Sequence, residues 1–149
     1  MGRLKADQEI DSVVQRERRL RDALAGEPTV RWAYLFGSAA RGEHFHDLDV
    51  AVMLAADARG AVAFGRVASR AAEAGDGLRV DVVDLASAAP ALLGRIVREG
   101  RVLVDREPAA RRSWAVDVNR RALDLEPWLA EFARLHNEAI RRRGAHGRS

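Results

Sequence analysis

The sequence contains no cysteine, a single lysine and few aromatic residues. Without cysteine there is neither a disulfide framework nor a zinc–thiolate site, which fits a reducing compartment, and we expect a cytoplasmic location. Lys5 is the only lysine, so almost every positive charge belongs to an arginine. No apolar run approaches the length of a membrane span, and residues 1–9 are too charged for the core of a signal peptide. We therefore expect no association with a membrane.

The hydrophobic content and the charge distribution suggest one domain with an appendage. Hydrophobic residues make up 48% of 149 residues, which is sufficient for one core. Residues 1–105 carry 15 basic and 16 acidic groups, whereas residues 106–149 carry 10 basic and 6 acidic groups. We therefore divide the chain into a core at 1–105 and a C-terminal helical appendage with a basic tail at 106–149. The lack of net positive charge in the core argues against nucleic acid as a partner.

Hydrophobic periodicity predicts an α/β (α+β) fold. Helical spacing predicts helices at 4–25, 61–74 and 87–99, the last capped by Ser87, and apolar β-branched runs predict strands at 30–36, 48–54, 78–85 and 101–104. Two more helical segments are expected at 107–125 and 128–143, with Pro127 between them. This order suits a small mixed sheet with helices against one face and an open second face.

The most informative segment joins a small-residue turn to two carboxylates. Gly37 and Ser38 follow the first strand, and Asp47 and Asp49 stand two positions apart where the second strand begins. Because side chains alternate along a strand, both carboxylates project from the same face. Two acids held so close repel each other unless a cation lies between them, and hard oxygen ligands suit Mg²⁺. Since the turn also offers backbone N–H groups and a hydroxyl to a phosphate, the segment indicates phosphoryl or nucleotidyl transfer.

A third carboxylate is needed as a metal ligand or a base, and the third strand offers two candidates. Asp81 and Asp84 are three positions apart and therefore face opposite sides of a strand. Val80 and Val82 suit the core face, which turns Asp81 toward the open face and Asp84 away from it. We therefore predict that Asp81, rather than Asp84, joins the acids of the second strand.

The motifs of this segment resemble the signature of the nucleotidyltransferase superfamily. Gly37-Ser38, the following Arg41-Gly42 and Asp47-x-Asp49 carry the resemblance, which extends over residues 28–105. Eight residues separate Ser38 from Asp47, fewer than is usual in the family, so we expect a shorter connecting loop. The sequence is similar in particular to the minimal, single-domain branch, which partners HEPN-domain proteins in bacterial toxin–antitoxin pairs. The family's third acid corresponds to Asp81.

This resemblance implies a Mg²⁺-dependent enzyme that transfers AMP from ATP to a hydroxyl group. The implied acceptor is a tyrosine of a cognate HEPN-type toxin, whose ribonuclease activity the transfer would silence, so the chain would be a protein adenylyltransferase and an antitoxin within a hetero-oligomer. Two Mg²⁺ ions are expected. The expected site consists of the catalytic and metal-binding residues Asp47, Asp49 and Asp81 and the nucleotide-binding residues Gly37, Ser38 and Arg41. A surface position is an equally good interpretation of Arg41.

Two other functions stay open from the sequence. A small-molecule acceptor, as in aminoglycoside nucleotidyltransferases, usually requires a sizeable second domain, and residues 106–149 are short for one. A non-catalytic antitoxin would neutralise its partner by contact alone, which the intact acid set argues against. Trp114, Trp128 and Phe132 form an apolar stripe in residues 106–149. We expect this segment to recognise a helical protein acceptor, and the competing interpretation is that it only completes the core.

Overall fold

The computed structural model describes residues 2–145, with side chains at 12–138 and 141. Its elements are α1 (Gly2–Ala25), β1 (Val30–Phe36), α2 (Gly37–Arg41), β2 (Asp47–Leu54), a 3₁₀ turn (Ala56–Ala58), α3 (Ala61–Ala74), β3 (Arg79–Asp84), α4 (Pro90–Glu99), β4 (Arg101–Asp105) and α5 (Pro108–Ala145). All four predicted strands are confirmed. The end of the predicted basic tail, at 146–149, and the side chains of Arg142 and Arg143 lie outside the described residues.

The four strands form one mixed sheet in the order β3-β2-β1-β4. The central strand β1 pairs antiparallel with both β2 and β4, whereas β2 pairs parallel with β3. Parallel neighbours need a crossover connection, and α3 supplies it between β2 and β3. The predicted α/β fold with a small mixed sheet is therefore confirmed.

Helices cover both faces of the sheet, which extends the prediction of helices against one face. Leu20 and Leu24 of α1 and Val67 of α3 pack with Val50 and other buried residues of the strands. The opposite face carries Trp32, Tyr34 and Phe36 of β1, which pack with Ile96 of α4 and Trp114 of α5. The second face, which the sequence analysis expected to be open, is therefore partly covered where the three aromatic residues of β1 are buried.

The C-terminal segment is one helix rather than two. The sequence placed a break at Pro127, but α5 runs through it. A proline inside a helix removes one backbone N–H, which leaves the carbonyl of Leu123 without its usual donor. Residues 123–137 are exposed throughout, so water can solvate that carbonyl. The predicted break is wrong for this reason.

The start of α4 also differs from the prediction. The helix begins at Pro90 after Ala89, and no side chain caps its N-terminus. Ser87 instead lies in the turn after β3, where its backbone N–H donates to the carbonyl of Asp84 over 3.2 Å. No helix within residues 2–145 is long and apolar enough to cross a membrane.

Candidate active site

The sheet topology brings the three predicted acids to one end of two neighbouring strands. Asp49 of β2 pairs with Phe36, the last residue of β1, so the start of β2 lies beside the start of α2. Because β3 runs parallel to β2, Arg79 pairs with Asp47, and Asp81 pairs with Asp49. The intervening residues Leu48, Val50, Val80 and Val82 pack into the core with α1 and α3, which leaves the acids on the other face. The predicted positions of the acids are therefore confirmed, while their catalytic roles stay predictions.

Asp84 lies apart from this group and has a local structural contact. Its Oδ1 accepts a hydrogen bond from the backbone N–H of Ala86 over 2.9 Å. That contact stabilises the turn that leads from β3 toward α4. The choice of Asp81 over Asp84 thus agrees with the register of the strand.

Asp49 lies in the part of the site where a negative charge is least favourable. Burial raises the pKa of the Asp49 carboxyl, and the nearby charges of Asp47 and Asp81 raise it further, against the lowering effects of Arg95 and Arg79. Gly37 adopts a φ of 72°, and a side chain there would collide with Oδ2 of Asp49. Glycine is therefore required at position 37 both by the backbone conformation and by the approach of this carboxylate.

Asp81 is held by an arginine of its own strand. Nε and Nη2 of Arg79 donate to Oδ1 and Oδ2 of Asp81 over 2.8 and 2.6 Å. This paired hydrogen bond lowers the pKa of the Asp81 carboxyl. Among the described residues, no three His, Cys, Asp or Glu side chains are arranged to hold a metal ion. Both oxygens of Asp81 face the guanidinium group of Arg79.

The donor set nevertheless fits a divalent cation. Asp47 and Asp49 offer hard oxygen ligands from adjacent positions on one face, and Asp81 stands directly across from Asp49. The raised pKa of Asp49 arises partly from the like charges of its neighbours, and a cation would relieve that repulsion. Asp47 and Asp49 would hold the ion, and Asp81 would join them once Arg79 releases it.

The predicted nucleotide-binding residues lie at the start and end of α2. Gly37 and Ser38 open this short helix, whose first backbone N–H groups have no partner within the helix. Arg41 at its end donates to Glu43 over 2.8 Å and to Glu99 of α4 over 3.3 Å. These carboxylates raise the pKa of Arg41 above its ordinary value. Both interpretations of Arg41 stay open, since a phosphate would compete with two glutamates for its guanidinium group.

Two arginines of this site were missed in the sequence. Arg79 precedes Asp81 by two positions, so strand alternation alone would have placed it on the same face. Arg95 lies on α4, and its charge favours the ionised form of Asp49. No local pattern would have identified Arg95, because only the packing of α4 over the sheet brings it near the acids.

A cavity of about 300 Å³ lies on the same face but outside the acid site. Met53, Leu93 and Trp114 form apolar walls, and Arg59 and Arg121 are the basic residues of its lining. Met53 follows Asp49 by four positions along β2, which corresponds to roughly 13 Å. None of the predicted site residues lines the cavity, so the chemistry is assigned to the sheet end that carries the acids rather than to the cavity.

A family model matches the part of the chain that contains the three acids. Residues 18–109 match the family model described as "Polymerase beta, Nucleotidyltransferase". Among curated proteins, none matches the chain.

Solved structures of toxin–antitoxin proteins share the fold. A chain of the MntA-HepT toxin–antitoxin is 27% identical with a TM-score of 0.61, covering 84% of this chain and 97% of that one. A chain from a toxin–antitoxin crystal structure with AMP-PNP is 27% identical with a TM-score of 0.60, covering 83% and 98%. A third belongs to a complex of tri-AMPylated HEPN toxin with MNT antitoxin from Shewanella oneidensis; it is 28% identical with a TM-score of 0.57, covering 94% and 99%.

Proposed function

The chain belongs to the polymerase beta nucleotidyltransferase family, and from that premise we propose that it transfers AMP from ATP to a tyrosine hydroxyl of a HEPN-type protein. The observation that carries the proposal is the placement of Asp47 and Asp49 directly beside Arg79 and Asp81 at one end of β2 and β3. This end adjoins the start of α2 and lies within the matched residues. The AMP-PNP complex and the AMPylated toxin among the similar structures support ATP as the donor and a HEPN protein as the acceptor.

In the proposed reaction, the acceptor oxygen forms a bond to the α-phosphorus of ATP. The bond from this phosphorus to the oxygen that bridges the α- and β-phosphates breaks, and pyrophosphate leaves with that electron pair. Asp81, on the edge strand, accepts the proton of the attacking hydroxyl. Gly37 and Ser38 hold the β- and γ-phosphates through backbone N–H groups and the serine hydroxyl.

Two Mg²⁺ ions are the proposed cofactors, held by Asp47, Asp49 and Asp81. When bound, Mg²⁺ supplies positive charge that offsets the negative charge of the triphosphate and of the transition state. We further propose that residues 1–105 carry the chemistry and that residues 106–149 contribute to partner recognition.

Co-expression with the product of the neighbouring gene tests the proposed transfer. Mass spectrometry should detect AMP on a tyrosine of that product, and incubation of the purified pair with ATP should add AMP only with Mg²⁺. EDTA should prevent the addition, because the carboxylates then lack their cation. If wild-type protein adds no AMP to any co-purifying protein, then transfer to a small molecule or binding without catalysis explains the chain better.

Partner recognition is assigned to the exposed half of α5. The first half of α5 completes the core, since Trp114 packs against Trp32 with ring centroids 5.7 Å apart and Val118 is buried. Beyond it, an exposed apolar surface follows helical spacing and consists of Leu125, Trp128, Leu129, Phe132 and Leu135. We call this surface the α5 stripe. Core completion therefore describes the first half of the helix, and we propose partner recognition for the exposed half.

The charge around the α5 stripe favours a basic partner rather than a second copy of the chain. Residues 123–138 contain four acidic side chains and one arginine. Arg134 already pairs with Glu131 over 2.6 Å and with Glu138 over 3.4 Å. A second copy would bring acidic surface against acidic surface, whereas a helical acceptor with an apolar groove and a basic border would complement the stripe. We commit to the HEPN-type acceptor as the occupant.

Substitution of Phe132 by Asp should weaken binding of the acceptor at least tenfold. Phe132 is 66% exposed, and an aromatic residue near the centre of an interface often contributes most of its binding energy. Val116→Asp is the matched control, because Val116 is 67% exposed on the same helix but lies outside the α5 stripe. Calorimetry with the purified neighbouring gene product measures acceptor binding by both variants, and circular dichroism verifies that α5 stays helical.

An equal loss of acceptor binding in both variants would contradict the assignment of the α5 stripe. Conversion of a dimer to a monomer by Phe132→Asp, with acceptor binding unchanged, would identify a second copy as the occupant.

A further inference from the structure

Arg79 lies within the acid group and carries the opposite charge. It is the first residue of β3, it stands across from Asp47, and its guanidinium group binds both oxygens of Asp81. The negative charges of Asp47 and Asp49 also attract the guanidinium group of Arg79. A cation bound at Asp81 requires at least one of the oxygens that Arg79 occupies.

We propose that Arg79 is an internal counter-ion of the acid group, which holds Asp81 in the cation-free protein and competes with a divalent cation for its oxygens. This inference rests on the proposed function, because it takes the aspartates as cation ligands. The Arg79 side chain is 74% exposed. Ion pairs in such positions are weak, so the cation can displace the guanidinium group without disturbing the fold. Arg79 is thus a positioning residue, since it acts through Asp81.

The proposal predicts two effects of opposite sign when Arg79 is replaced. The cation-free protein loses stability, because three carboxylates then face one another without their local positive charge. Cation binding becomes tighter, because no side chain has to be displaced and no positive charge repels the ion. A purely structural ion pair would give the first effect without the second.

Titration with Mn²⁺ in the absence of nucleotide, monitored by electron paramagnetic resonance, measures the affinity for the cation. Arg79→Gln should lower the Mn²⁺ dissociation constant about two- to fivefold, the range that an exposed ion pair supports. Its melting temperature without divalent ions should fall by about 1–3 °C, and saturating Mn²⁺ should remove the difference from wild type. Arg79→Lys keeps the charge but not the paired hydrogen bonds, so it should give a smaller change.

Two further variants separate the contact with Asp81 from a general charge effect. Arg95→Gln removes the same charge near Asp49, but within the described residues Arg95 donates no side-chain hydrogen bond to a carboxylate. It should therefore change the Mn²⁺ dissociation constant by less than Arg79→Gln. In an Asp81→Asn background, Arg79→Gln should also change the Mn²⁺ dissociation constant by less than it does in wild type.

The outcomes distinguish the counter-ion role from the proposed function. If wild type binds Mn²⁺ and Arg79→Gln binds it no more tightly, the counter-ion role is wrong while the metal site stands. An equal effect of Arg79→Gln with and without Asp81 would also overturn the role. If neither wild type nor Arg79→Gln binds Mn²⁺, both the counter-ion role and the metal-dependent function are wrong.

Discussion

Asp49→Asn should reduce AMP transfer at least about a hundredfold, equivalent to about 2.7 kcal/mol of activation barrier, while it raises the stability of the cation-free protein at pH 7. The loss of activity follows from the removal of one of the two carboxylates that hold the cation from β2. The gain in stability follows from the surroundings of Asp49, where burial and the charges of Asp47 and Asp81 disfavour the ionised carboxyl. An asparagine fills a similar volume and carries no charge.

The pH dependence of this effect has a definite sign. Because the pKa of Asp49 is raised in the folded protein, the folded state binds the proton more tightly than the unfolded chain does. The protonated Asp49 carboxyl therefore stabilises the folded state at low pH, and this contribution is lost as the pH rises through the raised pKa. The variant should be more stable than wild type by about 1–3 °C in melting temperature near pH 7, and the difference should disappear below about pH 4.

Thermal unfolding in EDTA between pH 3 and 8 measures the stability of the variant, and mass spectrometry of the acceptor measures AMP transfer. Asp57→Asn is the matched control, because Asp57 is exposed in the 3₁₀ turn after the far end of β2. It should change neither transfer nor melting temperature. Transfer that survives Asp49→Asn within about tenfold would show that the assigned site is wrong.

The same variant separates catalysis from neutralisation by contact. If the chain silences its partner by adding AMP, Asp49→Asn should abolish protection of cells that express the partner. If binding alone silences the partner, protection should persist, because Asp49 is not part of the α5 stripe. Protection without an AMP adduct would therefore favour the non-catalytic antitoxin.

Asp81→Asn should reduce transfer about a hundredfold or more, whereas Asp84→Asn should retain it within about threefold. Asp81 stands across from Asp49 on the face of the acids, and the variant keeps its size while it removes a ligand and the proposed proton acceptor. Asp84 lies on the other face, where its Oδ1 accepts the N–H of Ala86. An asparagine oxygen can still accept that hydrogen bond, so Asp84→Asn should cost less than about 1 kcal/mol of stability.

Initial rates of AMP transfer at saturating ATP, combined with denaturant unfolding, compare this pair of variants. They share one strand and one substitution, so a difference in activity reports the face on which each carboxylate lies. Activity lost in Asp84→Asn but kept in Asp81→Asn would place the chemistry on the face packed by α1 and α3. Equal loss in both, with reduced stability, would point to damage of β3 rather than to a catalytic role.

Local rules were sufficient for the strands and for the shared face of the acids. Side-chain alternation in β2 and β3 depends only on the backbone of each strand, so Asp47, Asp49 and Asp81 could be assigned to one face from sequence. The same rule places Arg79 on the face of Asp81. The resemblance to the nucleotidyltransferase family added the prediction that the acids serve nucleotidyl transfer.

The sequence alone is therefore sufficient for the order of the four strands and of α1, α3 and α4, for the inward and outward faces of each strand, and for the set of acids on the shared face. The tertiary structure alone decided that Asp81 stands across from Asp49, because the register between β2 and β3 depends on how the crossover through α3 closes. It also decided that α4 brings Arg95 toward Asp49 and that α5 continues past Pro127. These outcomes depend on packing between distant segments and on exposure to water, and neither is encoded in the spacing of neighbouring residues.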